Sequence, residues 1–256
     1  MITFSELGDI PKWGRLGNNL FEISAVIGLA DSLNVPFYLP PWTYSRYFKH
    51  ELPQKSYDEL ASYGLKIFTE KQFNYDFISL DTKYSWDIRG YMQSWKYFVN
   101  SFDKIKYYFE PNFETNDNSK DLVSVHVRRG DYLERSNFHT NLGQEYYQKA
   151  MNLFPNDKFL IFSDDLDWVV HCGWFDETRC IFKAKEDPQQ LAFINAPVEL
   201  IHLFYMSKCK AHIIANSSFS WWGSFLGDQK GITVAPRQWW VNNNSSDIYL
   251  PHWVVL

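Results

Sequence analysis

The stretch Leu122-Val123-Ser124-Val125-His126-Val127-Arg128-Arg129-Gly130-Asp131-Tyr132 begins as a strand and ends as a cluster of charge. Leu122 to Val127 alternates apolar and polar residues and is rich in β-branched side chains, which predicts a buried strand. In an open α/β sheet the carboxyl end of a strand borders the crevice where ligands bind. Two adjacent guanidiniums there suit an anion with forked oxygens, such as a diphosphate. Side chains alternate along extended chain, so Arg128 and Arg129 are expected to point in opposite directions, one to the ligand and one into the loop. Gly130 permits a sharp turn or a close approach. The competing reading pairs both arginines with structural carboxylates and uses Asp131 as a helix cap.

The rest of the second half continues the pattern. Helical stretches at Gln144–Leu153, Ala196–Ser207 and Ser220–Leu226 separate strand candidates at Phe159–Ser163, His212–Ala215 and Ile232–Ala235. Strands spaced by helices of this length imply an α/β fold with a parallel sheet and crossover helices. The strand Phe159–Ser163 runs into Asp164-Asp165, which as an acidic pair raises the question of a metal. No third carboxylate or histidine stands at ligand spacing, and an arginine pair can neutralise a diphosphate without a cation. The stretch His212-Ile213-Ile214-Ala215-Asn216-Ser217-Ser218-Phe219-Ser220-Trp221-Trp222-Gly223 is a strand that breaks into small polar residues and then a helix. The hydroxyls and amides of Ser217 and Ser218 at the positive end of that helix suit phosphate oxygens, or else form an ordinary cap.

In the first half, Ile2–Phe4 is a short strand candidate, and Trp13-Gly14-Arg15-Leu16-Gly17-Asn18-Asn19 is a glycine turn opening onto a helix at Leu20–Leu33. Such a turn gathers amides, Arg15 and Asn18 at one spot, suiting a phosphate or a sugar hydroxyl, or forms a capped turn and nothing more. Val35–Leu39 reads as a further strand closed by Pro40-Pro41, and Asp87–Trp95 as a strand leading to a helix with Tyr97, Phe98 and Ile105. The aromatic stretch 42–70 gives no order. Asn112–Lys120 is polar and marks a linker, dividing the chain into domains at 1–115 and 116–256, with the last residues free to pack back on the first domain.

A net charge of -5 and a pI near 5.8 lack the footprint of a nucleic-acid binder, so the basic clusters serve something small. Three cysteines, Cys172, Cys180 and Cys209, form neither a disulfide framework nor a zinc half-site, and a reducing compartment is expected. No apolar run reaches the roughly 18 residues of a membrane span, and Met1–Lys12 lacks the layout of a signal peptide, so a soluble, cytoplasmic protein is expected. Aromatic residues make up 19% of the chain, with 11 tryptophans, faces that fit a core and can also stack on sugar rings. There is no Walker loop, no Gly-x-Gly-x-x-Gly and no Gly-x-Ser-x-Gly, which argues against ATP hydrolysis, hydride transfer and serine-nucleophile chemistry.

Four motifs in order, Gly-Arg-Leu-Gly-Asn at 14–18, His-Val-Arg-Arg-Gly-Asp-Tyr at 126–132, Phe-Ser-Asp-Asp at 162–165 and Ile-Ile-Ala-Asn-Ser-Ser-Phe-Ser-Trp-Trp-Gly at 213–223, resemble the α-1,2-fucosyltransferases of glycosyltransferase family 11. The resemblance covers roughly residues 13–240. It implies an α/β, GT-B-like fold of two Rossmann-like domains, the nucleotide sugar lying in the cleft between them and held mainly by the second, with the acceptor approaching from the first. It implies inverting, metal-independent transfer from GDP-β-L-fucose, with no cofactor beyond that donor substrate, to a glycan acceptor with terminal galactose.

By matching position, the resemblance implies Arg128, Asp131 and Asn18 as the catalytic set; a carboxylate near the acceptor helps as base, with Asp131 the leading candidate ahead of Glu22 and Glu134, unless Asp131 instead fixes the arginine loop or holds an acceptor hydroxyl. It implies a donor site of Arg15, Gly17, His126, Arg128, Asp164, Asn216, Ser217, Ser218 and Phe219. His126 would lie near the guanine and the Gly14–Asn18 turn would face the reacting sugar. Two positions depart from the pattern: Asn19 stands where many relatives have glutamine, and His202 stands where many have an acidic residue that binds the guanine edge. Glu199, one turn earlier, is its alternative. The Arg-Arg-Gly-Asp pattern also occurs in α-1,6 and protein O-fucosyltransferases. Another sugar-nucleotide donor, or a carbohydrate-binding relative without activity, completes the alternatives.

Overall fold

The structure is a computed structural model that describes residues 1–7, 13–114, 119–134, 137, 139–183, 195–228, 230–241 and 246–256. It divides into two compact units, Met1–Asn112 with Ser246–Ile248, and Phe113–Ser245 with Tyr249–Leu256. The first unit's main segment ends at Asn112 and the second's begins at Phe113, and residues 115–118 lie outside the described residues.

In the amino-terminal unit, β1 (Ile2–Thr3), β2 (Lys66–Thr69) and β3 (Trp86–Arg89) form a parallel sheet in the order β1-β3-β2. The helix α1 runs from Leu16 to Leu33, starting four residues earlier than the apolar spacing predicts. Its burial on nearly all sides follows from its composition, since Leu20, Ile23, Val26 and Ile27 are fully enclosed. Smaller helices follow, α2 (Tyr57–Ser62) with a complete Ser56–Glu59 capping box and α3 (Phe102–Tyr108), the latter preceded by a 3-10 segment at Trp95–Ser101. The strand expected at Val35–Leu39 is reduced to isolated bridges, Ile2 with Phe37 and Leu39 with Gln54. Its neighbours offer only single pairings, and a ladder needs successive ones.

Among the described residues, the carboxy-terminal unit holds six parallel strands: β4 (Val123–Val127), β5 (Phe159–Ser163), β6 (Cys180–Phe182), β7 (Ala211–Ile213), β8 (Thr233–Ala235) and β9 (Val254–Val255). Their order is β6-β5-β4-β7-β8-β9. The chain winds outward from β4 in one direction, returns to the other side of β4 and winds outward again, which is the Rossmann order with its switch point between β4 and β7.

Helices α4 (Gly130–Glu134), α5 (Gln144–Met151), α6 (Leu166–His171), α7 (Val198–Ser207) and α8 (Ser218–Phe225) connect these strands. The sheet is covered on both faces, as parallel sheets require. Val123, Val125, Val127, Phe159 and Ile161 share one core with Tyr147, Ala150 and Met151 of α5. Leu160 and Phe162 face the opposite way, onto Ile201, Tyr205 and Met206 of α7. Each such enclosed side chain contributes about 1.5–3 kcal/mol relative to exposure. No helix among the described residues is long and apolar enough to cross a membrane.

Candidate active site

The carboxyl ends of β4, β5 and β7 lie side by side, and their following loops carry the charged motifs. Arg128 is gripped from two directions: Nη2 donates to Asp131 Oδ1 at 2.5 Å, and Nη1 lies 3.1 Å from Asp164 Oδ2. Its Nε is buried without a partner among the described residues. Arg129 diverges, as strand alternation predicts: its guanidinium lies 3.3 Å from the centre of the Trp168 ring, and its Nε donates to Asp165 Oδ2 at 3.2 Å. Asp164 Oδ1 also accepts the Arg129 backbone N–H at 2.9 Å. A Cβ added at Gly130 would collide with Asp164 Oδ2, so this close approach explains the glycine better than a positive φ does.

The acidic pair therefore orients the arginines. Asp164, expected on the donor, lies against both arginine residues, and Asp165 caps α6 through the Trp168 N–H at 3.4 Å. Asp131, expected as the leading base, has its carboxylate engaged by Arg128. Glu134 ends α4 and is exposed.

On the face of β4 turned away from Val125 and Val127, His126 is enclosed, its ring 5.5 Å from that of Phe219 and its Nδ1 without a partner among the described residues. Burial first, then the Arg128 charge and His202, push its pKa down to about 3, so the imidazole is neutral at neutral pH. His202 of α7 meets the Phe162 ring edge-on at 5.6 Å on the same side of the sheet, and Glu199 stands in the first turn of that helix. At the end of β7, Ser217 caps α8 in extended conformation without a side-chain bond to the helix amides, and Ser218 opens the helix, half-buried. Ser220 turns its hydroxyl back to the Ala215 and Ser217 carbonyls. The positive end of α8 thus borders the β4–β7 switch point.

Asn216, expected on the donor, also holds loops in place. Its side-chain amide donates to the Thr140 and Trp239 carbonyls, both at 2.9 Å, and the residue is buried, so it ties loops together. Three tyrosine hydroxyls that the sequence reading missed have a related task. Tyr132 donates to the Asn216 carbonyl at 2.9 Å, Tyr146 to that of Ile214 at 2.6 Å and Tyr147 to that of His126 at 3.2 Å. Each fixes backbone at a strand end and contributes about 1 kcal/mol.

In the amino-terminal unit, Arg15 caps α1 with extended backbone and an exposed side chain, and Gly17 is buried in the first turn. Asn18 donates to the Trp13 carbonyl at 2.8 Å and accepts from Gln93 Nε2 at 2.8 Å. Asn19 bridges inward, accepting from Trp42 Nε1 at 3.3 Å and donating to Glu22 Oε2 at 3.0 Å. Glu22, expected as a second choice of base, is fully buried, and burial holds its carboxyl well above the usual range. That enclosure removes it from contact with a substrate. Gln93 and Glu70 were missed, and only Gln93 lies in a stretch with a legible strand-to-helix pattern.

The sequence pattern of glycosyl transferase family 11 matches residues 6–256. The chain belongs to glycosyl transferase family 11. This family 11 glycosyltransferase is 34% identical over 208 residues to an α-1,2-colitosyltransferase of Escherichia coli, covering 74% of this chain and 68% of that protein. It is 35% identical over 144 residues to the O-antigen biosynthesis glycosyltransferase WbnK of Escherichia coli, covering 52% of this chain and 44% of that one. Among solved structures it is similar to the fucosyltransferase NodZ from Bradyrhizobium, with a TM-score of 0.53, 11% identity and coverage of 88% of this chain and 93% of that one. It is also similar to a variant of Arabidopsis thaliana FUT1 in complex with GDP, with a TM-score of 0.54, 10% identity and coverage of 91% and 69%. These likenesses show the α/β, GT-B-like fold.

Proposed function

We propose that this glycosyltransferase moves L-fucose from GDP-β-L-fucose to a glycan hydroxyl, with inversion, forming an α-1,2 linkage onto galactose. The observation that carries this reading is the pairing, at one switch point, of an oriented guanidinium and a helix amino terminus. A diphosphate at the end of β4 meets Arg128 already aimed by Asp131 and Asp164, and the amides and hydroxyls at Ser217 and Ser218 face its other oxygens. As the glycosidic bond breaks, negative charge grows on the diphosphate, and a preorganised guanidinium stabilises that charge without reorganising. The same two groups supply the positive charge that a divalent ion would, so no metal is required. Neutral His126 and the ring of Phe219 form a wall suited to the nucleotide base, with His202 and Glu199 beside it for the guanine edge. Asp131 holds Arg128, and the acceptor proton, lost late in an oxocarbenium-like transition state, passes to the departing diphosphate or to water. Arg15, Gly17 and Asn18 serve the reacting sugar and the acceptor.

The similarity to a colitosyltransferase favours one second reading, GDP-L-colitose as donor. Colitose is L-fucose without its 3-hydroxyl. A site that hydrogen-bonds that hydroxyl discriminates by roughly 10⁴ or more, whereas an apolar pocket discriminates by only about a hundredfold. Thermal protection by a panel of GDP-, UDP- and ADP-sugars, followed by transfer to galactosides and linkage analysis of the product, tests the reading. Protection by GDP-fucose and a 2-linked product are expected. Protection by UDP-sugars alone would refute the donor assignment.

A further inference from the structure

Glu70 follows β2 directly, beside the end of β3, where Thr69 pairs in register with Arg89 and the Glu70 N–H donates to the Arg89 carbonyl at 2.7 Å. The chain after Arg89 turns through Gly90 at φ +139° and Met92 at φ +51°. Left-handed backbone is unfavourable for a methionine and persists only where the surroundings hold it. Glu70 provides the hold. Its Oε2 accepts the Met92 N–H at 3.1 Å, its carboxylate also accepts from the Tyr91 backbone, and any Cβ at Gly90 would strike its side chain.

The turn presents two side chains toward the Gly14–Asn18 segment. The Tyr91 ring stacks with Phe73 at 6.1 Å and meets Trp13 edge-on at 5.6 Å. Gln93 donates to Asn18, which in turn donates to the Trp13 carbonyl. An unbroken set of contacts therefore runs from Glu70 through the turn to Trp13 and Asn18.

We propose that Glu70 is a positioning residue for glycosyl transfer, gripping the Gly90–Met92 turn and thereby setting Gln93, Tyr91 and the Trp13–Asn18 segment that handles the acceptor. The proposal rests on the transferase reading above. The ionised carboxylate makes charge-assisted bonds to the two amides and the protonated one does not. Burial raises the Glu70 pKa to about 7, against the pull of those two amides. The titratable and charged groups facing it are Glu22 of α1, Tyr97 of the 3-10 segment, whose hydroxyl its charge pushes further up, and Arg89, whose side chain is turned to Glu6 and Asp87. The grip strengthens as pH rises through neutrality.

The test measures acceptor KM, donor KM and kcat from pH 6 to 8.5, with hydrogen exchange of peptides spanning 89–95, in the wild type and Glu70→Gln. In the wild type, acceptor KM is expected to fall as pH rises. In Glu70→Gln it is expected to be about tenfold higher at pH 8, the scale of losing bonds to a charged group, and no longer pH-dependent, while the affinity for GDP itself, measured separately, stays unchanged. The 89–95 peptides are expected to lose protection. Gln93→Ala, which cuts the link beyond the turn, is expected to raise acceptor KM while the turn keeps its protection, and it carries the test if Glu70→Gln does not fold. A wild-type pH dependence of acceptor KM that survives in Glu70→Gln, or unchanged protection at 89–95, overturns the proposal. A wild type that transfers no sugar defeats the transferase reading instead, and the exchange measurement still decides whether Glu70 holds the turn.

Discussion

Replacing Arg128 separates its two tasks. Its side chain is 14% exposed and lies between the carboxylates of Asp131 and Asp164, which are 37% and 21% exposed. Removing it leaves two carboxylates facing each other across the space it filled. The cost lies between the ~0–1 kcal/mol of a surface pair and the ~3–5 kcal/mol of breaking a buried one, about 2 kcal/mol. In a chain of this size that lowers Tm by roughly 4–8 °C. The catalytic loss is larger. Deleting one preorganised donor to developing charge lowers kcat by about 10²–10³-fold, or roughly 3–4 kcal/mol. Arg128→Lys keeps one charge but cannot meet Asp131, Asp164 and a phosphate oxygen with a planar fork, so it is expected to restore most of the Tm and little of the kcat. The assay is kcat, GDP affinity and Tm for Arg128→Ala, Arg128→Lys and Arg129→Ala. Arg129, stacked on Trp168 and paired with Asp165, is expected to affect Tm more than kcat. An active Arg128→Ala enzyme beside a folded, inactive Arg129→Ala refutes the assignment.

Three further expectations follow from the same geometry. EDTA should leave transfer within about twofold if, as proposed, the guanidinium and the α8 terminus supply the charge at the diphosphate; complete loss restored by Mn²⁺ or Mg²⁺ would make Asp164 and Asp165 ligands. Asp131→Asn should weaken GDP binding and lower kcat together while keeping the shape of the pH–rate profile, since it loosens Arg128; loss of the acidic limb from the profile would restore Asp131 as the base. Acid should destabilise the fold through its buried histidines. The His126 pKa is depressed to about 3 and that of His212, bonded to Ser124 at 2.8 Å, to about 4, both mainly by burial. Stability from them is present above the unfolded value near 6.5 and is lost as pH falls toward those values, on the order of 3 kcal/mol for His126 between pH 6.5 and 4. A His126→Gln variant should show a shallower fall of Tm over that range, and an unchanged slope contradicts the linkage.

The sequence by itself determined the local elements of the carboxy-terminal unit and the charged and small polar residues at their ends. The alternation from Leu122 to Val127, the apolar run at Phe159–Ser163 and the small polar residues after Ile213 are local patterns, and buried parallel strands need only local composition to be visible. The opposed directions of Arg128 and Arg129 were legible for the same reason, since the strand period is two. Strands β6 and β9, at three and two residues, carry too little pattern to be read, and they exist because β5 and β8 offer them an edge. Only the tertiary structure decided partners. That the Asn216 amide goes to Thr140 and Trp239, and the Asp164 carboxylate to Arg128 and Arg129, is visible only once the fold brings these residues together. Glu22 resembles any glutamate on a helix until the core closes around it. Glu70 stands in a stretch without periodicity, and its grip on a turn 20 residues later depends on the register of β2 with β3, a non-local pairing that no short window of sequence encodes.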